Sequence, residues 1–147
     1  MFFFGAQPIR TLRVLLASGP ALLLIAAGLT TPHAHAEGAL HQVKYTVFSE
    51  QPFNAEIYYR DTDPPTFVDY SHDPYLYSPN VEADVGPDKQ WTRDVILANP
   101  QQWAMVVAGT GGESTQTPNI HCVLAIDGVV VATDQRPRGA LCSLRNW

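Results

Sequence analysis

The segment around Asp127 and Gly128 constrains the fold of this chain more than any other part of the sequence. Two mainly apolar runs, 120–126 and 129–133, flank the Asp-Gly pair. Aspartate and glycine tolerate the positive φ angles of a two-residue hairpin turn, and apolar runs beside such a pair are typical of paired strands. The sequence therefore predicts a β-hairpin in the last third of the chain.

Other short runs with alternating or β-branched residues extend this pattern toward the N-terminus. Most of them are bounded by proline, asparagine, aspartate or glycine, residues that favour turns. The further predicted strands are 43–48, 55–60, a weak strand around Phe67 and Val68, 81–85, 91–97, 103–108 and 140–144. The Asn99-Pro100 pair predicts a turn between two of these strands.

Residues 37–147 are predicted to form one all-β domain. No helical repeat of useful length occurs there, and charged residues make up only 16% of the chain, below the roughly 25% of an average soluble domain. Short strands with turns between them favour two packed sheets. We expect an antiparallel Ig-like β-sandwich of about seven strands.

The two cysteines of the chain are Cys122, in the first strand of the hairpin, and Cys142, in the last predicted strand. Outside the cytoplasm, two such thiols favour one intramolecular disulfide. Their spacing is not that of a C-x-x-C redox pair, and a zinc site would need further ligands. We therefore expect a structural disulfide, with no metal site and no cofactor.

Residues 1–36 have the layout of an export signal. Arg10 and Arg13 precede the apolar run 14–29, and a small-residue triplet ends at Ala36. Because the run is shorter than the roughly 20 apolar residues of a comfortable membrane span, two interpretations stay open: a signal peptide cleaved after Ala36, and a retained N-terminal membrane anchor. Both place the following domain outside the cytoplasm, in the cell envelope or secreted.

The sequence offers no set of catalytic residues. Histidines and carboxylates after the apolar run lack the spacing of a catalytic triad or a metal site. The formal charge of −5 argues against a nucleic-acid partner. We therefore expect a protein that is not an enzyme and that contacts a membrane only through its N-terminal segment.

The tyrosines provide a candidate binding patch. Tyr70, Tyr75, Tyr77 and Trp91 would together form an apolar surface that receives a lipid tail or a partner protein. The alternative is that Trp91 belongs to the core and that the tyrosines pack a long loop. The sequence leaves both open.

From residue 43 onward the order of features resembles the MmpS family, the small mycobacterial membrane proteins that accompany MmpL transporters of the RND class. Four parts carry the likeness: 43–48, 55–63, 91–97, and the run 122–129 together with Cys142. The last part is the most specific, because a strand cysteine, an Asp-Gly turn and a closing cysteine occur in that family in the same order.

The resemblance implies a non-catalytic accessory protein of the cell envelope that supports lipid or siderophore export by an MmpL-type RND pump. The alternative function is a free secreted β-sandwich domain that binds a lipid, a glycan or a host protein. A small-ligand version of this alternative would need an aromatic pocket between the two sheets.

Overall fold

The structure is a computed structural model that describes residues 38–147. The predicted signal or anchor segment, 1–36, lies outside the described residues. The described residues form eight strands: β1 His41–Ser49, β2 Phe53–Tyr59, β3 Asn80–Val85, β4 Trp91–Leu97, β5 Met105–Gly109, β6 Ile120–Ile126, β7 Val129–Arg136 and β8 Gly139–Ser143.

The strands form two four-stranded antiparallel sheets. Sheet A has the order β4-β1-β6-β7, and sheet B has the order β3-β2-β5-β8. The predicted antiparallel β-sandwich is confirmed, with eight strands in place of about seven. The predicted hairpin is also confirmed as β6 and β7, and the turn residues Asp127 and Gly128 have φ angles of 50° and 80°.

The core lies between the sheets and follows the two-residue period of the strands. Val43, Tyr45 and Val47 on β1 are fully buried, and so are Ala55 and Ile57 on β2. The residues between them are partly or wholly exposed. This alternation places one face of each sheet in the core and leaves the other face toward solvent.

The predicted weak strand around Phe67 and Val68 is wrong, because these residues begin helix α1, Phe67–His72. Thr66 caps the helix: its Oγ1 atom accepts a hydrogen bond from the backbone N–H of Asp69 at 3.1 Å. Such a cap satisfies one of the first free N–H groups of a helix. A 3₁₀ helix, Pro74–Tyr77, follows directly.

The turn predicted at Asn99-Pro100 is instead the start of a second short helix, α2 Pro100–Trp103, which Asn99 caps. Strand β5 therefore begins at Met105 and not at Trp103, which is buried at the end of α2. No helix within residues 38–147 is long and apolar enough to cross a membrane.

Cys122 and Cys142 form the predicted disulfide, with Cα atoms 6.0 Å apart. Cys122 lies on β6 of sheet A, and Cys142 lies on β8 at the edge of sheet B. The bond therefore joins the two sheets covalently across the core.

Candidate functional site

Strand β5 has apolar side chains on both faces of sheet B. Val106 and Ala108 are buried in the core, while Met105 and Val107 lie on the opposite, outer face, where Met105 is buried and Val107 is partly exposed. An antiparallel sheet with one face toward solvent usually alternates apolar and polar residues. The outer face of sheet B beside β5 is thus the unusual surface of this domain.

Two neighbouring strands continue this apolar surface. Tyr58 on β2 is paired with Val107, and Val107 is paired with Leu141 on β8. Because directly paired residues lie on the same face of a sheet, these three side chains form an apolar row across three strands.

Two depressions lie along this row. One has a volume of about 380 Å³ and the other about 620 Å³. The first is lined by Tyr58, Tyr70, Pro74, Tyr75, Ser78, Met105 and Val107. The second is lined by Val107, Leu141, Arg136 at the end of β7, and the turn that follows, which contains Arg138. Since they meet at Val107, we treat them as one surface, the sheet B groove; both volumes lie within the range of small-molecule sites.

One wall of the groove is a segment that we call the cover, residues 66–78, which contains α1 and the 3₁₀ helix. Neither helix has a buried residue. Four of the large apolar side chains of the cover are exposed: Phe67 by 49%, Val68 by 61%, Tyr75 by 73% and Leu76 by 67%. Exposed apolar side chains in such a cluster are typical of a surface that contacts another molecule.

Arg60 follows β2 directly and fastens the cover to the sheet. Its side chain is fully buried. The Nη1 atom donates to Tyr77 O at 3.0 Å and to Ser78 Oγ at 2.8 Å, and Nε donates to Trp103 O at 3.4 Å. One arginine therefore links the end of β2, the cover and α2.

The guanidinium of Arg60 lies against three aromatic rings. Its Cζ atom is 4.4 Å from the ring centroid of Tyr70, 5.6 Å from that of Trp147 and 5.8 Å from that of Trp103. Arg145 lies on the same cluster, with Cζ 5.0 Å from the Trp147 centroid. Aromatic ring faces attract cations, and this attraction is stronger away from water.

Two buried side-chain nitrogens within residues 38–147 have no hydrogen-bond partner: Nη2 of Arg60 and Nη1 of Arg145. No carboxylate of the described residues lies within ion-pair distance of either arginine. A buried guanidinium without a counter-charge is unusual, because the burial of a charge costs free energy unless it is paired.

A carboxylate lies at the opposite end of this face. Glu56 is on β2, two residues before Tyr58, and its Oε1 atom accepts a hydrogen bond from the Tyr58 hydroxyl at 2.9 Å. This hydrogen bond raises the pKa of Tyr58. The outer face of β2 therefore has a negative end at Glu56 and a positive end at Arg60.

The structure brings part of the predicted aromatic patch together. Tyr70 and Tyr75 line the first depression, and Tyr77 contributes its backbone carbonyl to Arg60. Trp91 is not with them: it lies on β4 of sheet A and packs against the core residue Tyr59, with ring centroids 5.3 Å apart.

The expected aromatic pocket between the sheets is also not where the tyrosines lie. The space between the sheets holds the buried core, and the tyrosine-lined depression is on the outer face of sheet B. Sequence reasoning missed Arg60 entirely. A single arginine after a strand forms no motif, and its burial depends on residues far along the chain.

The remaining titratable groups are dispersed. His41 pairs with Asp127 at 2.7 Å, and His121 pairs with Glu50 at 3.2 Å, on separate parts of sheet A. His72 is exposed on α1. Within the described part of the chain, no three His, Cys, Asp or Glu residues are grouped so as to hold a metal ion.

The fold and its groove define a disulfide-linked β-sandwich domain. The chain belongs to the family described as the Rv2576c beta-sandwich domain, which matches residues 45–142. Among its relatives are Rv2576c of Mycobacterium tuberculosis and Mb2606c of Mycobacterium bovis, both uncharacterized proteins. Each is 32% identical to this chain over 121 residues, which cover 82% of this chain and 77% of the relative.

The resemblance to the MmpS family is therefore wrong, since the matching family and these relatives are Rv2576c proteins. The most specific of its four parts was a strand cysteine, an Asp-Gly turn and a closing cysteine. These features suit a β-sandwich of any family in which a hairpin with an Asp-Gly turn is linked to a later strand by a disulfide. They identified the architecture and not the family.

Proposed function

We propose that this protein is a non-catalytic binding domain, exported from the cytoplasm, that holds an apolar ligand such as a lipid chain in the sheet B groove. One observation carries the proposal: Tyr58, Val107 and Leu141 form an apolar row on the outer face of sheet B, and the groove lies along this row. Apolar surface of this kind is stabilised when a ligand removes it from water.

The exposed side chains of the cover support the same proposal. Tyr75 lines the groove and is 73% exposed, and Leu76 beside it is 67% exposed. A ligand in the groove would pack against Tyr75 and reduce this exposed apolar area. The entrance of the groove is therefore apolar as well as its floor.

Export is supported by the disulfide and by the sequence of the first 36 residues. A bond such as Cys122–Cys142 persists in oxidising compartments and is rare in the cytosol. A non-catalytic role is supported by the dispersal of the histidines, which pair with carboxylates far from the groove. A role beside an RND-type pump rested on the MmpS likeness and is not part of this proposal.

Binding of a medium-chain probe tests the proposal. We expect the purified protein to bind decanol, measured by isothermal titration calorimetry. The substitution Val107→Glu places a charge in the middle of the groove floor, and the burial of that charge under an alkyl chain should weaken binding about tenfold or more. Thr92→Glu is the matched control, because Thr92 is exposed on β4 of the other sheet.

Two results would overturn the proposal. One is that the folded wild-type protein binds no alkyl-chain probe. The other is that Val107→Glu and Thr92→Glu bind decanol with equal affinity, which would place the binding surface away from the groove.

A further inference from the structure

We propose that Arg60 selects apolar ligands that carry an acidic head, a carboxylate or a phosphate, and that it fixes their direction in the groove. This inference rests on the proposed function, because it assigns the head of the ligand whose tail the groove holds. It begins from a physical anomaly: a fully buried cation with an unused donor.

The contacts of Arg60 leave its charge incompletely compensated. Its hydrogen-bond acceptors are neutral: the carbonyls of Tyr77 and Trp103 and the hydroxyl of Ser78. The ring faces nearby stabilise the positive charge, but they leave the Nη2 atom without an acceptor. An anionic oxygen supplies both the missing acceptor and the missing counter-charge, and planar guanidinium groups bind carboxylate and phosphate oxygens in pairs.

Arg60 lies one layer of residues from the groove. Three of the residues that line the first depression contact it: Tyr70 stacks on the guanidinium, Ser78 accepts from Nη1, and Met105 O accepts from the backbone N–H at 2.9 Å. An acidic group that enters between Tyr70 and Ser78 would replace Ser78 as the acceptor of Nη1 and would give Nη2 a partner.

This entry requires a movement of the cover and not of the sandwich. The two short helices of the cover contain no buried residue, and their main apolar contact is the packing of Tyr70 on Trp103 and Trp147, with ring centroids 5.7 and 5.3 Å apart. Segments with few buried contacts open locally at low free-energy cost. The hydrogen bonds from Arg60 to Tyr77 and Ser78 are the links that such an opening would exchange for contacts with the ligand.

The charges along β2 also set the direction of the ligand. Glu56 and Arg60 lie on opposite sides of Tyr58 along β2, and the carboxylate of Glu56 would repel an acidic head at its end of the strand. The head therefore binds beside Arg60, and the tail runs over Val107 toward Leu141 in the second depression. The two arginines of that depression already have acceptors: Arg136 donates to the Asp134 carboxylate, and Arg138 donates to the Ser114 carbonyl.

The first test compares three probes with the same alkyl chain on the wild-type protein: decanoate, decyl phosphate and decanol. We expect both acidic probes to bind about tenfold more tightly than decanol, as a charge-assisted hydrogen bond in a dry site would produce. The stronger of the two acidic probes identifies the carboxylate or the phosphate as the preferred head. If all three bind equally, the groove binds chains but Arg60 selects nothing; if none binds, the proposed function itself fails.

The second test uses Arg60→Gln, Arg60→Lys and Glu56→Gln, each checked for folding by circular dichroism. Arg60→Gln should bring the affinities for decanoate and decanol to the same value while decanol binding stays near that of the wild type. Arg60→Lys should keep part of the preference. Glu56→Gln, which removes the repulsion at the other end of β2, should keep the preference or increase it. A preference for decanoate that persists in folded Arg60→Gln would overturn the inference. If Arg60→Gln does not fold, the wild type and Arg60→Lys provide the test. Equal affinities for decanoate and decanol in both of these proteins would contradict the inference.

Discussion

Cys122 and Cys142 occupy strands of different sheets and are 20 positions apart in the sequence. The loop that their disulfide closes contains the whole of β7. Cys142 belongs to β8, which is an edge strand of sheet B and pairs only with β5 within that sheet. The bond therefore holds an edge of the groove, since Leu141 beside it forms the end of the apolar row.

Removal of the disulfide should lower stability without removing ligand binding. For a loop of this length, the chain-entropy model assigns about 3 kcal/mol to the cross-link. We expect the double variant Cys122→Ala, Cys142→Ala to lose about this free energy of unfolding, measured by urea denaturation against the oxidised wild type. Decanol binding should persist at temperatures where the variant is folded. A variant as stable as the wild type would show that the two sheets hold together without the bond.

Asp134 should make the domain sensitive to acid. It lies on β7, and its Oδ2 atom accepts a hydrogen bond from the backbone N–H of Leu141 on β8 at 3.0 Å, which lowers the pKa of Asp134. A carboxyl with a lowered pKa in the folded state stabilises the fold above its unfolded pKa, and this stabilisation is lost as the pH falls through the folded value.

We therefore expect the urea midpoint of the wild type to decrease as the pH is lowered below about 5, through the unfolded pKa of an aspartate, about 4. Asp134→Asn cannot ionise, so it should be less stable than the wild type at neutral pH and should lose less stability over the same interval. Parallel pH profiles for the two proteins would contradict this assignment.

Tyr45 should make the domain sensitive to alkali. Its hydroxyl is buried in the core and donates to Arg60 O at 2.8 Å, and burial raises the pKa of Tyr45 well above its usual value. A raised pKa means that the neutral form stabilises the fold, so stability is lost as the pH rises above about 10, the value in the unfolded chain. Tyr45→Phe should cost about 1 to 2 kcal/mol at neutral pH, because the Arg60 carbonyl loses a donor, and should flatten the alkaline loss. Urea unfolding at neutral and alkaline pH measures both effects, and an unchanged alkaline profile would contradict the role of Tyr45.

Trp91 and Tyr75 should separate stability from binding. Trp91 packs on Tyr59 in the core, so Trp91→Ala should cost about 2 kcal/mol, less than for a fully buried tryptophan, and should leave decanol binding unchanged. Tyr75 is mostly exposed and lines the groove, so Tyr75→Ala should cost less than about 0.5 kcal/mol and should weaken binding. If Trp91→Ala weakened decanol binding and Tyr75→Ala did not, Trp91 would belong to the binding surface, as one of the two interpretations of the sequence predicted.

The strands could be predicted from the sequence because their signals are local. Alternation over a few residues gave β1 and β4 with nearly correct bounds, and the Asp-Gly pair gave the turn between β6 and β7. The pairing of Cys122 with Cys142 required only that the chain have two cysteines in an oxidising compartment.

The short helices were missed although local signals exist for them. Thr66 and Asp69 have the spacing of a helix cap, and Asn99 before Pro100 is a cap residue before a first-turn proline. The apolar pair Phe67 and Val68 outweighed the first signal because β-branched and aromatic residues favour strands. Phe67 and Val68 pair with no strand of the described residues, and the segment forms the helix that Thr66 caps.

The buried positive charge of Arg60 beside the groove had no signal in the sequence. The burial of Arg60 results from Tyr70, Trp103 and Trp147, which three separate segments bring to the same place. Spacing along the chain cannot reveal such a contact, since each residue alone is ordinary. The site could be found only once the sheets, the cover and the C-terminal residues were seen together.

The Asp-Gly turn allows a direct test of whether the positive φ angle at Gly128 requires a glycine. Gly128 has a φ angle of 80°, and a Cβ atom there would meet no other atom within 4 Å, so any penalty for a side chain comes from the backbone alone. A left-handed conformation costs an L-residue about 1 to 2 kcal/mol. Gly128→Ala should therefore destabilise the domain by this amount in urea unfolding.

Gly112→Ala is the control for the turn variant, because Gly112 also has open space around it but no positive φ angle. We expect this substitution to change the free energy of unfolding by less than about 0.5 kcal/mol. Equal effects at the two positions would mean that the turn relaxes into another geometry. The register between β6 and β7 would then depend on the apolar face of β6 and on Asp127, which accepts from the backbone N–H of Gln42 at 2.9 Å and thereby joins the turn to β1.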